Sequence, residues 1–366
     1  PYALHAVTAT NVDDADADTT NELIDSVVLS NMELSIFEAG ISHGVNLVDV
    51  LSDALSGLDT IAFDSLSIVE EGNVGSWIYS LTIHDNYAFA TTVDDSLVVL
   101  DITTPMAIST VGQVYIGGTS YSTVYQDSLL FIANFSTQKL QVVDVSNPAV
   151  PAIIGERAIG GAAVGVAVND SFAYVTDWSN DILEVISVAD PTAPSLVYQL
   201  QMNGSHVPAT LDGHYLYSPN NGGGTVDIID VSNPGVPTIA SQLSLAPGVT
   251  DVFIQGNYAY IPNFWDDNLT IADISDPANP FIVSQLSVAD APTNIFVQNG
   301  FAFLSIAGPD QLQVIDVSDV SAPEIVTAID VGNNPEEIIV QGDYAFIACR
   351  FTSAVVVVDV SYFTSY

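Results

Sequence analysis

Among the 366 residues there is one cysteine, Cys349, so no disulfide can form within the chain. Positive charge is nearly missing. Lys139, Arg157 and Arg350 are the only Lys and Arg, against 44 Asp and Glu, and the formal charge is −41. A surface of one sign repels nucleic acid and anionic lipid head groups, which excludes both as partners. It attracts cations, and salt screens its self-repulsion. No apolar run reaches the roughly 18 residues of a membrane-spanning helix, so membrane insertion is not expected. The histidines, His5, His43, His84, His206 and His214, lack the spacing of a zinc site. There is no Gly-x-Ser-x-Gly elbow and no glycine-rich phosphate loop before a helix. These absences point to a protein that is not an enzyme and needs no cofactor, with Ca²⁺ as the one ion the acidity leaves open.

What is present is a ruler. The stretch Leu140-Gln141-Val142-Val143-Asp144-Val145-Ser146-Asn147-Pro148 alternates apolar residues into an Asp and a polar turn. The same sentence recurs around Asp101, Ser187, Asp230, Asp273, Asp316 and Asp359, always 43 residues apart. Each unit carries four short strand signals. An alternating apolar run meets a tight polar turn, such as Asn169-Asp170 or Gly256-Asn257. The second strand opens with two aromatics one residue apart, as in Tyr87 and Phe89 or Tyr258 and Tyr260, which places both rings on one sheet face. The landmark stretch is the third strand, and the fourth follows a proline. Four strands per 40–45 residues is the signature of a propeller blade. The chain is therefore expected to be all-β, a seven-bladed β-propeller of four-stranded antiparallel blades. An Asp repeated once per blade is spread round a ring, so the landmark aspartates are expected to build turns and not a catalytic site.

The ends suggest how the ring closes. Only residues 360–366 follow Asp359, too few for a last fourth strand. Thr60 to Ile68 has that strand's character, so residues 60–68 are expected to pair with residues 354–360 within one chain, inside a propeller domain of residues 59–366. The alternative is donation across chains, which would build a polymer. Residues 1–58 form an N-terminal arm outside the repeat. Asp14, Asp16 and Asp18 alternate there and could gather oxygens around Ca²⁺. Residues 23–37 partly alternate and predict one or two strands, and Val45 to Leu58 predicts a short helix.

The repeated Leu-x-Val-Val-Asp-Val-Ser-Asn-Pro, with an upstream Tyr-Ala-Phe or Tyr-Ala-Tyr, resembles the LVIVD repeat family of exported bacterial and archaeal proteins. The resemblance covers residues 60–360 and implies a secreted or cell-surface propeller. It does not name a ligand. The third unit departs from the pattern, with Ser187 for Asp and Ala189 for Ser.

Function belongs where the units differ, in the loops between second and third strands. Their candidates for a binding face are Asp94, Asp95, Asp177, Trp178, Asp181, Trp265, Asp266 and Asp267. Rings beside carboxylates suit sugars, and the oxygens suit Ca²⁺. Glu336 and Glu337 stand where they could line the central channel. Arg350 beside Cys349 could lower the thiol's pKa, but the leading reading of Cys349 is a small strand residue. Asn134, Asn169, Asn203 and Asn268 begin glycosylation triplets. The leading expectation is an extracellular or cell-surface structural protein, freed from an N-terminal targeting segment and assembled through the arm into a filament or layer. The alternative is a secreted adhesion module binding carbohydrate, or binding through Ca²⁺, on the variable loop face. Partners would be further copies, other surface proteins or glycans.

Overall fold

The computed structural model describes residues 66–364, together with three strands at Ile24–Ser30, Glu33–Glu38 and Ile41–Asn46. The chain divides into two units, Pro1–Ala62 and Phe63–Tyr366, four residues beyond the expected boundary. In the first unit the three strands form one antiparallel sheet in chain order. Two strands there match the alternation of residues 23–37. The third corrects the start of the expected helix, because Val45 pairs opposite Leu34 in the sheet. The rest of that predicted helix, and Asp14, Asp16 and Asp18, lie outside the described residues.

The second unit holds seven four-stranded antiparallel sheets. In each, strands A to D run from the axis outward. The first blade is Ile78–His84, Tyr87–Thr92, Ser96–Asp101 and Ser109–Tyr115. Six blades are continuous in sequence. The seventh takes A, B and C from Pro335–Gln341, Tyr344–Cys349 and Ala354–Asp359, and its D strand is Ser67–Asn73. That strand starts seven residues later than the stretch expected to fill the edge. Residues 60–65 lie outside the described residues. The register gives the reason. Ser67 faces Asp359 as Ser109 faces Asp101, so the strand is placed by ladder pairing and not by local likeness to another D strand.

Packing explains why seven sheets stay together. The second aromatic of every B strand is buried: Phe89, Phe131, Tyr174, Tyr217, Tyr260, Phe303 and Phe346 are each at most 3% exposed. Each ring anchors a separate apolar cluster that spans two neighbouring blades. Phe131 packs with Val166 and Val175 of the next blade. Phe346 packs with Ile78 and Leu81 of the first, which closes the circle. Burying such a ring stabilises by about 3 kcal/mol or more. After the last C strand, the turn Ser361–Thr364 buries Phe363 against Phe301 and Phe303.

The landmark aspartates are turn residues. Six of the seven landmark positions hold Asp, and each accepts the backbone N–H two residues on, at 2.8–2.9 Å. Ser187 stands in the other unit without changing its period. A second Asn or Asp three residues later repeats the device at Asn147, Asp190, Asn233, Asp276 and Asp319. The hydroxyl of the Ser or Thr two residues on, and after it that residue's backbone N–H, hold the carboxyls of Asp101, Asp144, Asp190, Asp230, Asp273 and Asp319 below the usual Asp range.

Two expectations follow. Removing residues 1–62 should leave the ring's unfolding midpoint in urea unchanged. Removing residues 1–73 bares the Ala354–Asp359 edge and should cost about 3 kcal/mol or more, the scale of one lost core side chain. Equal midpoints for the two truncations would contradict closure by Ser67–Asn73. The second concerns acid. Each lowered Asp contributes stability that is complete above its ordinary value of 3.8 and is lost as pH falls through its folded value. Replacing the six by Asn keeps the acceptor and removes the titration. The fall in urea midpoint below about pH 4 should flatten in that variant.

Candidate functional site

The A strands surround the axis, and the chemistry of the repeat changes from blade to blade there too. A β-bulge at the start of strand A places one extra residue in several blades, at Tyr79, Tyr121, Val164 and Glu336. Bulges re-aim side chains, and these residues line one mouth of the channel. The next position round the ring holds Ser80, Ser122, Gly165, Pro208, Asp251, Asn294 and Glu337. Five of these side chains bond across to the following blade: Ser80 Oγ meets Thr123 Oγ1 at 3.1 Å, and the other four accept a backbone N–H. Ser122 Oγ accepts Val166 N–H at 3.2 Å, Asp251 Oδ2 accepts Ile295 N–H at 3.2 Å, and Asn294 Oδ1 accepts Ile338 N–H at 3.0 Å. Glu337 Oε2 accepts Leu81 N–H, so the same stitch crosses the seam between last and first blades. Gly165 and Pro208 carry no acceptor side chain. The Pro208 nitrogen has no proton, and strand A of that blade is reduced to Thr210–Asp212 with a bridge at His206.

The channel opens into a cavity of about 890 Å³. Its mouth is lined by Tyr79, Tyr121, Phe135, Trp178, Phe264 and Arg350. Tyr121 meets Tyr79 edge-on at 5.1 Å and Phe135 at 5.4 Å between ring centroids. The Arg350 guanidinium lies 4.4 Å from the centre of the Tyr79 ring and donates to Glu336 Oε1 at 3.0 Å. Deeper in, Asp251 accepts three donors: Val252 N–H at 2.8 Å, Ile295 N–H, and Asn294 Nδ2 at 2.8 Å. Burial pushes the Asp251 carboxyl up to about 6 against the pull of its two amides. Burial pushes Glu337 up to about 8; its bonds to Leu81 and Ser80 oppose this, and the charges of Asp251 and Glu336 add to it.

The expected binding residues separate into three groups. Trp178 lines the mouth, 40% exposed. Asp94, Asp266 and Trp265 are exposed but outside the cavity wall. The others belong to the turn frame. Asp177 is 0% exposed and accepts Ser179 N–H and Asn180 Nδ2, both at 2.8 Å, so it is corrected from a binding residue to a turn cap. Asp95, Asp181 and Asp267 have φ of 59°, 54° and 49°, the left-handed position that Gly224 fills in another blade. Their carbonyls accept Ile116, Met202 and Val288 N–H.

Other expectations change as well. Asn134 is 0% exposed, and its Nδ2 donates to Ile116 O and Gln141 Oε1 at 3.0 Å, so it has no free amide for a glycan. Asn203 is exposed, while Asn169 and Asn268 are half-buried. Cys349 is the small strand residue expected: it is buried, burial pushes its thiol up to about 12, and the Arg350 head turns instead to Glu336 and Tyr79. Among the described residues no three His, Cys, Asp or Glu side chains converge as a metal-ligand set. One arrangement imitates a catalytic triad. His206 Nδ1 is 2.9 Å from Ser218 Oγ and its Nε2 is 3.6 Å from Asp227 Oδ2. All three residues are 0% exposed, so no substrate reaches the hydroxyl.

Tyr79, Tyr121, Phe135, Phe264, Asp251 and Asn294 were not singled out by the sequence. The available signal was the ring position itself, which runs Ser, Ser, Gly, Pro, Asp, Asn, Glu in an otherwise uniform frame.

Seven matches to the LVIVD repeat model follow the seven blades, at residues 79–115, 129–157, 160–201, 210–243, 248–287, 292–331 and 334–365. The chain belongs to the LVIVD repeat family. No curated protein matches it in sequence. Solved structures similar to this LVIVD-repeat propeller include Kuenenia stuttgartiensis hydrazine synthase, 15% identical, with a TM-score of 0.64 over 78% of this chain and 96% of that one. A Lactobacillus plantarum protein is 14% identical, with a TM-score of 0.66 over 77% and 90%. The computationally designed Ika8 protein is 10% identical, with a TM-score of 0.57 over 80% and 98%. An enzyme and a designed protein share the architecture, and at these identities the likeness shows the fold alone.

The Glu337 carboxyl has a stability consequence. A raised acid binds its proton more tightly in the folded state. Its contribution is complete below the ordinary Glu value of 4.5 and is lost as pH rises through about 8. Glu337→Gln keeps the acceptor for Leu81 N–H and cannot ionise. Thermal melts should show the wild-type midpoint falling between about pH 5 and pH 8, and the variant's midpoint falling only up to about pH 6, where Asp251 titrates, and level above it.

Proposed function

We propose that this LVIVD-repeat propeller is a non-enzymatic binding module that takes its ligand at the channel mouth on the face of the B–C loops. The observation that carries the reading is the aromatic-walled cavity of about 890 Å³ on the ring axis. Large, well-formed cavities with apolar walls and a few convergent polar groups are the common form of binding sites. Here rings from several blades meet above a floor of stitched polar side chains, a placement the repeat frame does not require. The reading keeps the loop face expected from sequence and moves its centre inward, from loop tips such as Trp265 to the axis. It also keeps the protein outside the cell, supported by the acidity and the family resemblance. A filament built by strand donation has less support, because residues Ser67–Asn73 of the same chain occupy the sheet edge that a neighbour would have filled; that pairing does not bear on assembly through the N-terminal arm.

The test compares three variants in fluorescence titrations against a panel of soluble sugars, amines and peptides. Tyr121→Ala and Trp178→Ala should weaken the responding ligand at least about tenfold, some 1.4 kcal/mol. Trp265→Ala, 60% exposed and outside the cavity, should bind as wild type. Equal losses in all three, or loss only in Trp265→Ala, would move the site off the axis.

A further inference from the structure

Building on the channel mouth as the binding site, we propose that the ligand is an organic cation, an alkylammonium group seated between the aromatic rim and the acidic floor. Four observations converge on this. The first is the balance of charge inside the cavity. Glu336, Glu337 and Asp251 line it, and Arg350 is the one Lys or Arg that does. Arg350 is spent at the rim on Glu336. Lys139 and Arg157 are occupied elsewhere, with Glu156 at 2.6 Å and Glu184 at 3.7 Å. Asp251 and Glu337 therefore sit partly out of water on backbone and amide donors, with no opposite charge beside them. Such groups gain from a cation more than solvated surface carboxylates do.

The second observation is the wall. Tyr121 and Trp178 present rings to the cavity beside the Tyr79 ring that Arg350 covers, and ring faces attract cations. The third is that the rim already holds one. The Arg350 guanidinium lies 4.4 Å from the Tyr79 centroid and 5.4 Å from that of Phe351, an internal example of the contact a ligand would make. The fourth is the field. A formal charge of −41 around a low-dielectric cleft concentrates cations in it and repels anions. A neutral sugar could stack on the same rings but would leave Asp251 and Glu337 without a counter-charge. A bare divalent ion would need ligands that do not converge among the described residues.

Binding should respond to pH through Glu337. The groups that face it are Asp251 and Glu336, with Tyr79, Tyr121 and Arg350 at the rim and the uncharged Ser80, Thr293 and Asn294 from the adjoining A strands. An ammonium drawn to the floor favours the ionised carboxylate, so binding expels its proton.

The test is calorimetric titration with n-butylammonium chloride in 0.5 M NaCl, where the Debye length is about 4 Å and attraction to the outer surface is screened. The expected result is one saturable site per chain, about tenfold tighter at pH 9 than at pH 6, with proton release read as a dependence on buffer ionisation heat. Glu337→Gln should cut the pH dependence to the roughly twofold part that Asp251 supplies near pH 6, and Trp178→Ala should weaken binding at both pH values. Far-UV circular dichroism and melting of each variant establish that it is folded. A second arm uses a short unstructured peptide with a single lysine. Peptide binding at least tenfold tighter than butylammonium assigns the ammonium to a protein partner, and equal affinities assign it to a free amine. Heats that never saturate, or saturable binding unchanged in folded Glu337→Gln, overturn the cation. Maltotriose binding that Trp178→Ala abolishes, with no amine binding, overturns the cation and keeps the mouth as the site. If Trp178→Ala and Tyr121→Ala alter the binding of no probe, the site itself is wrong.

Discussion

Everything in this molecule depends on one constraint: a four-stranded sheet with two apolar faces cannot bury both by itself. Each blade must be covered on either side, and a closed circle of seven satisfies all of them without a cap. The buried aromatic of each B strand is the physical expression of that need. Seven rings anchor seven separate clusters, and each cluster belongs to a seam and not to a blade. The strict period follows, since a unit of different size would misplace its ring relative to the next. The remaining outer edges are interrupted by a register shift between the C and D strands of every blade, which discourages pairing with other chains.

A frame this uniform leaves little room for chemistry, and the room it leaves is on the axis. B and C strands are buried on both faces, and the outer turns are occupied by Asx hydrogen bonds. Only the A strands face open space in the middle. The same ring position serves two ends there. Ser122, Asp251, Asn294 and Glu337 hold neighbouring blades together through backbone amides, and they also present polar atoms to the cavity. Blade-to-blade bonding and the polar lining of the cavity are thus coupled at the floor. Burial raises the proton affinity of its carboxylates, Asp251 and Glu337.

Much of the fold was legible because it is periodic. Seven landmarks, the aromatic pairs and the polar turns each occur once per unit, so an error in any one unit is corrected by the others. The landmark aspartates were read as turn residues on the same ground, and their side chains bond as such. The misses fall on individual segments and residues that the period does not itself specify. The closing strand was sought by local likeness at 60–68, although one period counted back from Ser109 lands beside Ser67, where the ladder puts it. Asp177 looked like a loop carboxylate, yet it stands at the end of a B strand where Asn134, Asn220 and Asn263 do the same capping. Cys349 lies in that position too, which explains its burial despite the neighbouring arginine.

The sequence by itself determined the class of fold, the number of blades, the turn chemistry and the face on which the blades differ. Each of these is a property of one unit, repeated. It also set the net charge, and with it the sign of what the protein attracts. Only the tertiary structure decided which residues meet. Tyr79, Trp178, Asp251 and Glu337 are far apart in the chain, and ring closure brings them round one cavity. A period states how far apart equivalent residues lie along the chain; it does not state which side chain a bulge turns inward, or which carboxylate is left without a counter-charge. Those outcomes depend on packing across seams, where residues 256 positions apart, such as Leu81 and Glu337, share a hydrogen bond.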